Sequence, residues 1–241
     1  MAGPVKAEGI VLRSLRYGEA DRILHLYTPM RGKLGAIAKG VRRTKSRFGG
    51  RLEPFFHLNL VLHEGRSDLL TVTSVETVAA HARLRVDGAA LDAAARACDA
   101  VGRLFDTQEP NPAVFHLLAN ELGLLDADAA AHATHANQLA FRLKLLLAAG
   151  LAPQLAACAS CGEREGLVAF SGAEGGVVCA GCEAGAFPID AAAHAFMSGA
   201  LGAPLARSPT AAPRILAQVE RAIGETVEHH GAGRLRAARA Q

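Results

Sequence analysis

Between residues 5 and 78 the apolar positions come in short runs that alternate with polar ones, the period of half-buried strands. In the run at 23–27, Ile23, His25 and Tyr27 fall on one face, and Leu24 and Leu26 on the other. Further runs at 5–15, 33–38, 55–62 and 69–78 bring the predicted strands to five, with turn-forming clusters at 28–32 and 64–68. Five strands in so short a segment fit a small barrel. The five-stranded OB-type barrel is the solution that binds oligonucleotides, and an SH3-like barrel is the alternative.

From Gly88 onward the period changes to that of helices. Leu91, Ala95, Cys98, Val101, Leu104 and Phe105 recur at helical spacing. Asn111-Pro112 opens a second helix carrying Val114, Leu117, Leu118 and Leu122. A single third helix is predicted over 130–149, with Leu139, Leu143, Leu146 and Leu147 on its apolar face, ending at Gly150 before Pro153. Residues 191–199 and 213–229 read as helical again. The expected organisation is therefore α+β and multidomain: a barrel domain at 1–80, a helical domain at 81–155 and 186–241, and a cysteine-bearing insert at 156–185.

The 241 residues are half hydrophobic and one-fifth charged, enough apolar content for a sizeable core. The longest apolar run, near residues 145–152, is far too short for a membrane span, and the N-terminus lacks the apolar core of a secretory signal. These features predict a cytoplasmic protein with no membrane association. The net charge of +3 is unevenly spread. Residues 1–80 carry 13 basic and 7 acidic side chains, a net +6, whereas the remainder carries a net −3. The basic half is the candidate for a phosphate-bearing partner.

Four of the five cysteines form two C-x2-C pairs, Cys158/Cys161 and Cys179/Cys182, separated by 17 residues. That spacing is typical of a four-cysteine zinc ribbon. Each pair can offer two thiolates from one tight knuckle, with Gly162 and Gly181 supplying backbone freedom. Between the pairs, residues 167–170 and 177–178 flank a Ser-Gly-Ala-Glu-Gly-Gly turn, a hairpin pattern. Four sulfur ligands leave no place for a catalytic water, so the expectation is one structural zinc per chain. Redox-active pairs or disulfides are the alternatives. Cys98, alone in a helix, reads as a small buried residue.

From Arg31 to Arg51 eight basic residues occur without an acidic one: Arg31, Lys33, Lys39, Arg42, Arg43, Lys45, Arg47 and Arg51. With Gly40, Gly49 and Gly50 among them, the stretch reads as a mobile phosphate-binding loop. Phe48 is either a base-stacking ring or a core residue. Arg234, Arg236 and Arg239 near the end are a second phosphate contact or a frayed tail. No phosphate loop, dinucleotide-binding glycine pattern, zincin motif or nucleophile elbow is present in the sequence. The reading is a non-enzyme without a small-molecule substrate. A protein-interaction scaffold with incidental DNA contact is the competing class. A hidden nuclease is disfavoured by the lack of a carboxylate cluster.

The stretch Gly9-Ile10-Val11-Leu12-Arg13, then Tyr17-Gly18-Glu19-Ala20-Asp21-Arg22-Ile23-Leu24, resembles the start of the bacterial recombination mediator family RecO. So do Leu26-Tyr27-Thr28, Gly32-Lys33-Leu34, Ala38-Lys39-Gly40-Val41-Arg42-Arg43, Lys45-Ser46-Arg47 and Leu52-Glu53-Pro54-Phe55. Phe141-Arg142-Leu143-Lys144-Leu145-Leu146, Gly150, Pro153 and Cys158-x-x-Cys161-Gly162 continue the likeness, which loosens over 186–241. The resemblance implies an OB fold, a helical domain and a zinc-binding insert. It also implies binding of single- and double-stranded DNA, annealing of complementary strands, and action with RecR to load RecA onto DNA coated by single-strand-binding protein. That work would place the chain at the nucleoid. The DNA-contacting residues it points to are Lys39, Arg42, Arg43, Lys45 and Arg47, then Arg13 and Lys33. Arg142 and Lys144 are the candidates for a basic rim that receives the acidic tail of the single-strand-binding protein. Glu19 and Asp21 match the motif as residues that fix the first turn.

Overall fold

The computed structural model describes residues 3–65, 69–230, 235 and 238. Two compact units divide the chain, Met1–Ala127 and Asp128–Gln241.

In the first unit, β1 (Pro4–Tyr17), β2 (Asp21–Thr28), β3 (Gly32–Ala38), β4 (His57–His63) and β5 (Leu70–Ala79) close into a barrel in the order β1-β2-β3-β5-β4. The neighbours are antiparallel except for β3 and β5, which run parallel at Ala36–Leu70 and Ile37–Thr71. This is the OB-type solution, a closed barrel whose β3–β5 seam spans two residue pairs. The alternation read from the sequence has a direct packing cause. Leu24, Leu26, Leu34, Ala36, Ala38, Leu58, Leu60, Leu62 and Val72 point inward and are buried together. Ile23, Leu15 and Ile37 lie opposite one another across β1, β2 and β3 on the outer face.

Helices α1 (Gly88–Leu104) and α2 (Pro112–Ala127) belong to this same unit. Asp87 caps α1 by accepting from the Ala90 N–H. The change of composition at Gly88 thus marks a change of secondary structure, while the division into compact units comes later, after Ala127.

The second unit holds α3 (Ala129–His132), α4 (His135–Ala148), α5 (Ala191–Gly202), α6 (Pro213–His229) and a three-stranded ribbon. The single helix predicted over 130–149 is two. Thr134 is extended and its hydroxyl accepts from the Asn137 N–H, so it caps a fresh helix and stops the short one before it. The ribbon pairs β6 (Leu167–Ser171) with β7 (Gly176–Cys179) and β8 (Phe187–Pro188). It sits against α6, where the Arg221 guanidinium lies 4.0 Å from the Phe187 ring centroid. Among the described residues no helix is long and apolar enough to cross a membrane. Arg234, Arg236 and Arg239 lie outside the described residues.

Candidate nucleic-acid interface and metal centre

The basic segment between β3 and β4 is a chain of successive turns, and the barrel holds it at several points. At its start, the Gly40 N–H donates to Asp21 Oδ1 (2.8 Å) and the Arg42 N–H to the Ala20 carbonyl (2.9 Å). The motif assigns Asp21 to its own turn, whereas its carboxylate holds the neighbouring loop. In the middle, Phe48 and Leu52 drop into the barrel core, each 1% exposed. The Arg51 guanidinium donates to the carbonyls of Phe48 and Arg47. At the end, Glu53 pairs with Arg22 of β2 (2.8 Å), the Phe55 N–H donates to the Val11 carbonyl (2.8 Å), and the Val11 N–H donates to the Phe56 carbonyl (2.9 Å). The loop predicted as mobile is therefore anchored throughout. Phe48 is a core plug, its ring shielded from solvent and overlain by the Arg47 guanidinium at 4.8 Å.

What the anchors leave outside is charge. Lys39, Arg42, Arg43, Lys45 and Arg47 are all exposed, as is Arg13 on β1. None of the six forms an ion pair with a described acidic residue. Elsewhere arginines are neutralised locally: Arg22 by Glu53, Arg31 by Glu64, Arg96 by Asp92, Arg103 by Asp99. Lys33 departs from the expectation. Its Nζ donates to the Gly102 carbonyl (2.7 Å) near the end of α1, so it ties β3 to a helix C-terminus. The contacts of Asp21 and Ala20 place the basic loop beside the β1–β2 turn, one of the loops that border the usual ligand surface of such barrels.

In the second unit the four paired cysteines converge. Their sulfur atoms all lie within 4.8 Å of one another, and Cys161 Sγ is 3.7 Å from Cys179 Sγ. Four thiolates bound tetrahedrally at about 2.3 Å stand roughly 3.8 Å apart, so the cluster has the dimensions of a closed four-sulfur metal site. The first knuckle turns at Gly162, whose φ of +83° suits glycine; its N–H donates to the Cys158 carbonyl. Gly181 has no such left-handed conformation, so that expectation applies to one knuckle only. Behind the hairpin, Gly176 lets the Gln154 backbone approach so closely that any β-carbon would clash with it.

The local electrostatics favour a cation. Backbone N–H groups of Cys161 and Cys179 stabilise the Cys158 thiolate and bring its pKa down to about 6. The neighbouring Cys161 and Cys179 sulfurs push Cys182 up to about 12. Four adjacent sulfurs cannot all ionise without a positive ion among them. Cys98 is buried in α1, and burial raises its thiol pKa.

Arg142 and Lys144 do not form an open basic rim. Arg142 is 3% exposed and pairs with Glu220 (3.6 Å), which also receives His135. Lys144 donates to the Leu201 carbonyl, and burial lowers its pKa. The reason is periodicity: Arg142 falls in the stripe Leu139, Leu143, Leu146 that faces the interior of its unit.

Comparison with known proteins agrees with this architecture. The family model described as "Recombination protein O N terminal" matches residues 1–81, and "Recombination protein O C terminal" matches residues 85–239. The DNA repair protein RecO of Anaeromyxobacter dehalogenans (strain 2CP-C) is 40% identical over 245 residues, covering 98% of this chain and 94% of that one. The DNA repair protein RecO of Bifidobacterium longum (strain DJO10A) is 42% identical over 174 residues, 71% of each chain. That of Bifidobacterium adolescentis is 44% identical over 180 residues, covering 72% and 71%. With both halves matched and identity of this level along nearly the whole length, the chain belongs to the RecO family of DNA repair proteins.

Proposed function

We propose that this protein is a non-enzymatic mediator of recombinational DNA repair that binds DNA through the loop between β3 and β4 and anneals complementary strands. The observation that carries this reading is the anchored loop whose five exposed cations, Lys39, Arg42, Arg43, Lys45 and Arg47, lack acidic partners among the described residues. Two DNA strands repel through their phosphates. A fixed positive surface lowers that repulsion while the bases pair unaided, and no bond is made or broken by the protein. Arg13 extends the surface on β1.

In this reading residues 1–80 bind DNA. The helical parts at 81–155 and 186–241 serve protein partners: RecR, and the acidic tail of single-strand-binding protein during loading of recombinase. The ribbon at 156–185 holds one structural zinc through Cys158, Cys161, Cys179 and Cys182, supported by the sulfur spacing. The protein works in the cytoplasm at the nucleoid.

The test is binding of a labelled single-stranded oligonucleotide across a salt series, comparing the intact protein with an Arg42/Arg43/Lys45/Arg47→Ala variant. About five engaged phosphates give a log–log slope of roughly −3.5 on single strands. The variant binds weakly with a shallower slope, and it fails to anneal. Unchanged binding would remove the loop from the DNA site. No binding by either protein would favour the protein-interaction scaffold.

A further inference from the structure

The chain has nine Phe, two Tyr and no Trp, and ten of these eleven rings are already committed to the fold. Eight are buried. Phe56 is half-buried beneath the Arg85 guanidinium (4.7 Å), and Phe105 is half-buried edge-on against Tyr27 (6.2 Å). The remaining ring, Tyr17, is 54% exposed.

Its position is specific. Tyr17 is the last residue of β1 and pairs across the hairpin with Asp21, the residue whose carboxylate holds the Gly40 N–H of the basic loop. Two residues back on the same strand face stands Leu15, 41% exposed, opposite Ile23, which is itself opposite Ile37. Arg13 is two residues further along. An exposed ring thus continues into an apolar row across three strands, with the exposed Arg13 two residues from Leu15 on β1 and the exposed Lys39 two residues past Ile37 after β3.

We infer that Tyr17 is the base-stacking platform of the DNA site and the residue that distinguishes single from double strands. This rests on the DNA-binding reading above. Cations grip phosphates of either form, because both carry them. A free ring face gains only from an unpaired base, since the bases of a duplex are already stacked on one another. The row Leu15–Ile23–Ile37 gives the next base an apolar floor. Charge complementarity sets the occupant as a polyanion, and the ring sets it as a single strand.

The absence of tryptophan supplies a direct readout, since Tyr17 and the buried Tyr27 are the tyrosine emitters of this chain. The full-length protein is titrated with oligothymidylate and with a blunt duplex of equal length. Tyrosine emission and binding are followed for the wild type, Tyr17→Phe and Tyr17→Ala. The wild-type emission should be quenched in step with single-strand binding. Tyr17→Phe should bind as the wild type with that quench lost. Tyr17→Ala should lose about 5- to 150-fold on the single strand, the span of one stacked base, and keep its duplex affinity, which also reports an intact fold. Tyr17→Ala binding single strands undiminished, or losing both forms equally, overturns this inference and leaves the basic-loop reading standing. A wild type that binds neither probe overturns the DNA-binding reading and this inference with it.

Discussion

The carboxylate of Asp21, on the first residue of β2, accepts a 2.8 Å hydrogen bond from the backbone N–H of Gly40, just past the end of β3. One acid therefore joins the β1–β2 turn to the entry of the basic loop. Removing a negative charge near phosphates would by itself strengthen DNA binding, whereas releasing the loop would weaken it. Asp21→Ala should cost about 1–2 kcal/mol in urea unfolding and should weaken single-strand binding. Asp21→Asn keeps the acceptor and loses the charge, so it should bind at least as well as the wild type. Weaker binding by the Asn variant would refute the anchoring role.

Phe48 separates core from contact. Phe48→Ala should cost about 3–5 kcal/mol, because its side chain is enclosed by the barrel interior. Phe48→Leu keeps an apolar plug and should cost less than about 1.5 kcal/mol, with single-strand affinity and salt slope unchanged. Oligonucleotide titration of the Leu variant decides the matter, since a stacking ring would show a loss there.

Metal content and unfolding test the four-cysteine cluster. Purified protein should contain about one zinc per chain, and Cys158→Ser should lose it. A chelator should lower the thermal midpoint of the unit from Asp128 to Gln241 while oligonucleotide binding by the barrel persists. Full retention of stability after metal removal would exclude a structural role.

Two histidines of the first unit make its stability pH-dependent. Burial lowers the pKa of His25 from 6.5, helped by Lys33 and Arg13. Burial also lowers that of His81, whose Nδ1 lies 2.8 Å from the Phe55 carbonyl. Both are favoured neutral in the folded state. The unfolded chain therefore takes up protons first, and stability present above pH 6.5 falls as the pH drops toward the folded-state values. Denaturant midpoints measured from pH 8 to pH 5, as approximate bounds, should decline below that point. A His25→Gln/His81→Gln variant should show a flatter profile.

Strands and knuckles are legible in the sequence because each follows from a short repeating pattern: Leu24 and Leu26 alternating inward, Cys158 and Cys161 three positions apart around a turn. What was not legible depended on a residue's partner. Lys33 reads as one more cation in a basic run, but its ammonium is used by a carbonyl 69 positions away. Phe48 and Leu52 are four apart within a polar stretch, a signal of anchoring that the surrounding charges obscured. Arg142 is legible from periodicity, since it shares a helical stripe with Leu139 and Leu146, although its charge alone suggests an exposed rim. Thr134 was the visible signal for the break between α3 and α4, set within an alanine-rich pattern that reads as continuous helix.

The parallel closure of the barrel has a kinetic consequence. The β2–β3 seam is zipped from Thr28–Gly32 to Arg22–Ala38, but among the described residues β3 meets β5 only at Ala36–Leu70 and Ile37–Thr71. Local opening begins where the fewest ladder bonds must break, so amide protons flanking this seam should exchange fastest among the barrel strands. The edge that breathes is β3, the strand that runs directly into the basic loop at Lys39. Occupancy of that loop should slow exchange along the seam, so the barrel would register a bound strand as a change in its own rate of opening.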